Sequence, residues 1–113
     1  QACATSISQY AALAAYTGDQ TAVRQMRDEY RTRRDILYDG LKRMGFAFPV
    51  PEGAFYAFVP MGIPLMQRVI ENGVIVTPGS AFGKNMPEHA RVSYATSREN
   101  LRQALDRIQR VME

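Results

Sequence analysis

A single arginine stands where a half-buried strand usually carries an apolar side chain, within the segment HARVSYATSREN from His89 to Asn100. Alternation along this strand places Arg91 on one face together with Ser93, a small residue that leaves room in front of it. Val92 and Tyr94 take the opposite face, toward the core. The position of Arg91 raises the question of what its side chain binds.

The guanidinium of Arg91 is a planar fork that can bind a carboxylate through two parallel hydrogen bonds. Buried without a partner, such a cation would cost several kcal/mol, so it needs solvent or an anion. The anion is either a ligand or the Asp or Glu of an internal ion pair. The residues alone leave these two alternatives open.

The glycine-bearing segment GSAFGK, Gly79 to Lys84, has some features of a phosphate-binding loop. Its glycines are separated by three residues where that loop needs four, and Asn85 stands where Ser or Thr is needed. The spacing therefore argues against phosphate binding. The glycines instead predict a sharp turn beside a site or an interface.

Aromatic residues follow the sequence PEG in the segment AFYAFVP. In a strand, alternation would place Phe55 with Ala57 on one face and Tyr56 with Phe58 on the other. One of these faces could line a pocket, and the pattern alone leaves open which one.

Composition argues against several classes of protein. Cys3 is the only cysteine and His89 the only histidine, so neither a disulfide nor a typical metal site is expected. This cysteine usage favours a reducing, cytoplasmic location. The net charge is +3, but no basic cluster with aromatic platforms suggests nucleic-acid binding. The uncharged opening up to Gly18 contains too much Gln, Ser and Thr for a membrane span.

Helical and strand patterns alternate along the chain and predict an α+β domain, a small sheet packed against helices. The predicted elements are, in order, a helix closed by Gly18, a long helix capped by Asp19 and ended by Gly45, strands in FAFPV and AFYAFVP, a helix over 62–72, strands in VIVTP and ARVSYA, and a helix capped by Ser97.

The long helix carries one apolar stripe at three-, four- and seven-residue spacing. Its members are Val23, Met26, Tyr30, Leu37, Leu41 and Met44. Gly40 lies inside the stripe and should cost about 1 kcal/mol of helix stability relative to alanine. The charged run RTRRD predicts a solvated face with an i,i+4 ion pair between Arg31 and Asp35.

Five segments in order resemble the C-terminal small domain of class I/II pyridoxal-phosphate-dependent aminotransferases, of fold type I and similar to aspartate aminotransferases. They are ATSISQYAALAAYTG, YRTRRDILYDGL, PEGAFYAFVP, ENGVIVTPGSAFG and ARVSYATSRENLRQALDRI, which cover nearly all of the chain. The resemblance implies that Arg91, in the R-V-S-Y-A motif, binds the α-carboxylate of the substrate. It also implies that Phe55 and Phe82 line the pocket.

This resemblance further implies what lies outside the sequence. The chain opens at Gln1 in mid-pattern, and we expect residues 1–113 to be one domain excised from a longer protein. The Schiff-base lysine and the other pyridoxal-phosphate ligands of the family lie upstream, and neither Lys42 nor Lys84 matches the lysine motif. We therefore expect the fragment to be inactive and not to bind the cofactor covalently. The intact parent would be a homodimeric transaminase, acting on an α-amino acid and a 2-oxo acid.

Two other functions fit the same resemblance: a non-catalytic regulator that keeps the fold as a ligand sensor, and another pyridoxal-phosphate reaction such as β-elimination. The segment GIPLMQRVI is shorter than in many relatives, so the identity of the amino donor stays open.

Overall fold

The fold was analysed in a computed structural model that describes residues 3–113. Four helices and a three-stranded antiparallel sheet make up this part of the chain, which confirms the predicted α+β class. The elements are α1 (Ser6–Thr17), α2 (Thr21–Arg43), β1 (Tyr56–Pro60), α3 (Ile63–Glu71), β2 (Thr77–Pro78), a 3-10 turn (Gly79–Ala81), β3 (His89–Ser93) and α4 (Arg98–Met112).

The sheet has β3 in its centre, with β1 on one side and β2 on the other. Arg91 lies directly opposite Phe58 of β1 and Thr77 of β2. Since residues directly opposite each other in an antiparallel pair share a face, these three side chains lie on one face. Val59 and Val92 belong to the other face, which is buried.

The core lies between that buried sheet face and helices α2, α3 and α4. Its largest fully buried side chains are Leu37, Leu41, Leu101, Ile108, Val59 and Val69. Gly40 of α2 faces Leu105 of α4, and a β-carbon at position 40 would come within 2.5 Å of a Leu105 methyl group. The missing side chain therefore allows the two helices to approach closely, which accounts for a glycine inside the apolar stripe.

Helix starts follow the predicted capping chemistry, with one shift. Ser97 caps α4 by accepting a hydrogen bond from the backbone N–H of Asn100 at 3.1 Å. The N-cap position of α2 is Gln20, one residue later than predicted, and Gln20 makes no side-chain cap bond. The Asp19 carboxylate still accepts from the backbone and hydroxyl of Thr21, and these bonds lower the pKa of Asp19.

One predicted strand is wrong, and another is shorter than predicted. The segment FAFPV forms no strand, and its Phe46 and Phe48 pack against the core instead. Pro49 has no N–H to donate to a sheet ladder, which argues against pairing there. In VIVTP only Thr77 and Pro78 pair with β3. Residues 74–76 alternate in burial but form no strand.

The ion pair predicted between Arg31 and Asp35 is also wrong. Asp35 instead binds the adjacent Arg34 at 2.7 Å, while Arg31 lies 3.8 Å from Asp28, one turn earlier. Arg34 also donates a hydrogen bond to the backbone carbonyl of Pro51. Its position next to Asp35 in the sequence, together with this contact to the following loop, explains why Asp35 pairs with Arg34.

The first part of the chain is poorly covered by the rest. None of the residues in α1 is buried, and Val23 and Met26, predicted members of the α2 stripe, are each 61% exposed. The stripe packs against the core from Tyr30 onward, and its buried members are Leu37 and Leu41. Across residues 3–113, no helix is both long and apolar enough to cross a membrane.

Candidate functional site

Two aromatic rings flank the guanidinium of Arg91. Its central carbon lies 4.4 Å from the ring centre of Tyr56 and 4.5 Å from that of Phe82. Both distances are well inside the range of about 6 Å in which a cation is attracted to an aromatic face. We call Tyr56 and Phe82 the ring pair.

The two rings reach Arg91 from different elements. Tyr56 is the first residue of β1 and pairs with Ser93, so it is a diagonal neighbour of Arg91 on the same sheet face. Phe82 follows the 3-10 turn that begins directly after β2. The site therefore depends on strand pairing and on the conformation of the Gly79–Gly83 loop.

Gly79 lets this loop pack tightly against its neighbours. A β-carbon at position 79 would lie 2.1 Å from the carbonyl oxygen of Met86 and 3.1 Å from the ring of Phe58. The ring of Phe58 meets Phe82 edge-on at 6.4 Å and stacks on His89 at 5.1 Å. Only glycine fits this turn, and the turn places Phe82 against a chain of aromatic neighbours.

Arg91 has no carboxylate partner in the described part of the chain. Across residues 3–113, no Asp or Glu oxygen lies within 4.0 Å of its guanidinium nitrogens. Within that range the only side-chain polar atom buried without a hydrogen-bond partner is Nδ1 of His89. The guanidinium nitrogens of Arg91 make no hydrogen bond within residues 3–113. They therefore reach solvent and can bind an anion from outside.

Phe55 lies one ring away from Arg91. Its ring stacks on Tyr30 of α2 at 5.9 Å and tilts against Tyr56 at 4.6 Å. The backbone carbonyl of Phe55 accepts a hydrogen bond from the N–H of Tyr94. Its direct neighbour in the site is thus Tyr56, and its proposed part in lining the pocket stays a prediction.

Sequence reasoning did not single out Tyr56. Alternation put Tyr56 and Phe58 on one face, but choosing that face needed the register between β1 and β3. The pairing of Phe58 with Arg91 supplies this register, because it brings the aromatic face and the arginine to the same side of the sheet.

A second arginine site has the opposite character. The Glu29 carboxylate of α2 accepts from Arg33 at 2.7 Å and from Nε of Arg98 at 3.1 and 3.2 Å. Hydrogen bonding to Arg98, followed by that to Arg33, lowers the pKa of Glu29 from 4.5 to about 2. The same carboxylate raises the pKa of Arg98. Here the cations are neutralised within the fold, which ties α2 to the start of α4.

The two lysines do not provide an evident site for pyridoxal phosphate. Lys42 lies on the exposed side of α2 with its amine 5.4 Å above the ring of Tyr38. Lys84 borders a cleft of about 210 Å³ together with Phe58 and Phe82, and no arginine lines that cleft. A covalently held cofactor also needs a phosphate cradle, so these lysines and their surroundings do not fit the group. No group of three His, Cys, Asp or Glu within residues 3–113 could hold a metal ion.

Comparison with known proteins places the chain. The family of class I and II aminotransferases matches residues 1–108. The chain belongs to this family. It is 43% identical to a probable aspartate aminotransferase of Methanocaldococcus jannaschii, over 99% of the chain and 31% of that protein.

Solved aminotransferases share the fold as well as the sequence. An aromatic aminotransferase of Pyrococcus horikoshii matches with a TM-score of 0.82 at 38% identity, over 92% of this chain and 30% of the other. Aspartate aminotransferase of Thermus thermophilus, solved with maleate, matches with a TM-score of 0.74 at 41% identity, over 81% and 25%. The chain thus spans about a third or less of the length of these relatives.

Proposed function

We propose that residues 1–113 form the small domain of a pyridoxal-phosphate-dependent aminotransferase, and that Arg91 binds the α-carboxylate of its substrate. The observation that supports this proposal is a guanidinium held between two rings, open to solvent and without an internal carboxylate. The intact enzyme would transfer an amino group between an α-amino acid and a 2-oxo acid. Pyridoxal phosphate would stabilise the carbanion chemistry and would be bound by the rest of the polypeptide.

Arg91 would act by orientation. Two parallel hydrogen bonds from its fork to the carboxylate fix both the position and the rotation of the substrate. The bond from Cα to hydrogen is then held at one place relative to the group that removes the proton. Orientation of this kind is a large part of the rate gain in reactions between two bound groups.

Maleate in the related Thermus thermophilus structure agrees with a site that receives carboxylates, since maleate carries two of them. We extend to this chain only the shared chemistry, a carboxylate ligand for a free arginine. The identity of the amino donor is left to measurement, because the aligned relatives include enzymes named for aspartate and for aromatic amino acids.

The exposed apolar residues of α1 agree with a chain that packs against further protein. Ile7, Tyr10, Leu13 and Tyr16 are all exposed, and α1 contains no charged residue. Such a surface is usual where a domain meets another part of its protein or a second subunit. We propose the large domain and a homodimer as these partners, in a cytoplasmic enzyme.

The test is Arg91→Ala in the full-length protein that contains this chain. Loss of a buried charge pair typically costs about 2–5 kcal/mol, so kcat/KM for the amino acid should fall by roughly 30- to 5,000-fold. Arg110→Ala is a matched control, because Arg110 is an exposed arginine of α4 outside every ion pair of residues 3–113. Steady-state kinetics of both half-reactions measure the effect.

A change below about threefold for Arg91→Ala, similar to the control, would show that Arg91 does not bind the carboxylate. Product analysis in the same assays separates transamination from β-elimination, because only elimination releases ammonia. A full-length protein that binds the amino acid without turnover would instead be a ligand sensor.

A further inference from the structure

We propose that Tyr56 and Phe82 are positioning residues that hold the guanidinium of Arg91 in place for the carboxylate without neutralising it. This inference rests on the proposed role of Arg91 and adds a function for the ring pair. Tyr56 has not been implicated by the sequence, and Phe82 has been considered only as a pocket-lining residue.

The rings contact Arg91 in a different way from a carboxylate. A carboxylate that ordered Arg91 would occupy the same N–H donors that a substrate needs, as Glu29 does for Arg98. An aromatic face attracts the cation through its quadrupole and takes up no N–H donor. Arg91 can therefore be ordered by Tyr56 and Phe82 while all its donors stay available.

The ring pair also limits the conformational freedom of the Arg91 side chain. A free arginine side chain has many rotamers, and fixing it on ligand binding weakens the affinity. The rings of Phe82 and Tyr56 are not in aromatic contact with each other, although ring centres up to 6.4 Å apart are in contact elsewhere in the site. The rings therefore approach the guanidinium from two sides, which restricts its rotation before the ligand arrives.

The ring pair is itself supported by neighbouring aromatic residues. Tyr56 contacts Phe55, which stacks on Tyr30 of α2. Phe82 contacts Phe58, whose other neighbour is His89. Each ring thus has an independent set of neighbours, and removing one leaves the support of the other intact.

A consequence is a preference for planar anions. The rings of Tyr56 and Phe82 lie within 4.5 Å of the guanidinium carbon and limit the room beside it, and a flat carboxylate needs less of this room than a tetrahedral group. A tetrahedral phosphonate carries a third oxygen outside the plane of the other two and needs more room beside the guanidinium. The ring pair should therefore favour an amino acid over its aminophosphonate analogue.

The experiment uses four variants of the full-length enzyme: Tyr56→Leu, Phe82→Leu, Tyr56→Phe and Arg91→Gln. Tyr56→Leu and Phe82→Leu should each raise KM for the amino acid by about 3- to 30-fold, the range typical of one cation–π contact. Tyr56→Phe keeps the ring and should stay within about twofold of wild type. Phe48→Leu is a control for loss of a ring that packs elsewhere, against Tyr38.

A double-mutant cycle shows whether the rings act through the arginine. In an Arg91→Gln background, Tyr56→Leu and Phe82→Leu should have almost no further effect on KM, because the cation that they position is gone. Selectivity for the amino acid over the aminophosphonate should also fall in the leucine variants. Loss of a ring that only stabilised the fold would have the same effect on KM in both backgrounds and would leave this selectivity unchanged.

The outcomes separate the two proposals. If Arg91→Gln leaves KM unchanged, the carboxylate role of Arg91 fails. If Arg91→Gln weakens binding but both leucine variants stay within twofold of wild type, or have equal effects in the two backgrounds, the positioning role is wrong and the role of Arg91 stands. Tyr56 and Phe82 are 37% and 52% exposed, so their replacement should leave the fold intact, and two independent variants guard against failure of either.

Discussion

Arg91 and Arg98 lie seven positions apart in the chain, yet their environments are opposite. Arg98 opens α4 and binds the carboxylate of Glu29, which also binds Arg33. Arg91 lies in the central strand between two aromatic rings and meets no carboxylate of residues 3–113. The same type of side chain thus links two helices in one place and, in the other, has no internal carboxylate partner, where we propose that it binds the substrate.

The two sites differ in what orders the arginine, and this difference decides whether its hydrogen-bond donors stay available for a ligand. A carboxylate fixes an arginine by using its charge and its donors, and the result is an internal link between helices. An aromatic ring fixes it by contact with the flat side of the ring and leaves both charge and donors unsatisfied. The neighbours of an arginine, rather than its type, therefore indicate its function.

The largest effect is expected when Arg91 is given a carboxylate partner of its own. Thr77 lies directly opposite Arg91 across the β2–β3 pair, so Thr77→Glu would place an acid on the same face within reach of the guanidinium. This internal anion should compete with the substrate and lower kcat/KM in the full-length enzyme by about 10- to 100-fold, mainly through KM. Steady-state kinetics with the amino acid measure it.

Thr77→Gln is the matched control, since it has the same size and shape without the charge. Its kcat/KM should remain within about threefold of wild type. Equal losses for the two variants would mean that bulk at position 77, and not a competing charge, causes the effect.

A smaller effect is expected at the other site. Arg98→Ala removes a partly exposed ion pair, and such pairs contribute little to stability. We expect a small decrease in Tm and a kcat/KM within about twofold of wild type, because Arg98 is already bound by Glu29. A loss of activity comparable to that of Arg91→Ala would contradict the division between the two arginines.

The smallest effect is a pH dependence. The folded pKa of Glu29, about 2, is below its usual value of 4.5, so its ion pairs stabilise the fold above pH 4.5 and are lost as the pH falls toward 2. The Tm difference between wild type and Glu29→Gln should therefore be constant near neutral pH and shrink across this window. Carboxyl chemical shifts measured by NMR should give a Glu29 midpoint that rises in Arg98→Ala.

Local patterns in the sequence were sufficient for most helices and for the faces of β3. The sequence predicts the cap at Ser97, a helix over 62–72 that is found at Ile63–Glu71, and the burial of Val92 and Tyr94, because each depends on a few neighbouring residues. The family was likewise predicted from its motifs and is confirmed by the comparisons. The role of Arg91 itself remains a prediction.

What the sequence did not reveal depends on contacts between distant segments. The Tyr56 contact with Arg91 requires the β1–β3 register, and the link from Glu29 to Arg98 joins residues 69 positions apart. The segment FAFPV has strand-forming residues but no neighbouring strand to pair with. In each case the deciding partner is remote in sequence, so no local pattern could identify it.

The uneven burial along α2 also has a practical consequence for making the domain by itself. The first buried residue of the described chain is Leu37, and Glu29 is the first residue of α2 whose side chain binds a later element. A shortened version starting at Asp28 would keep the sheet, both arginine sites and the core. It would lose the exposed Ile7, Tyr10, Leu13, Tyr16, Val23 and Met26. The chain measures 56 Å along its longest axis, and the trimmed version should be shorter, less prone to self-association and better suited to solution spectroscopy.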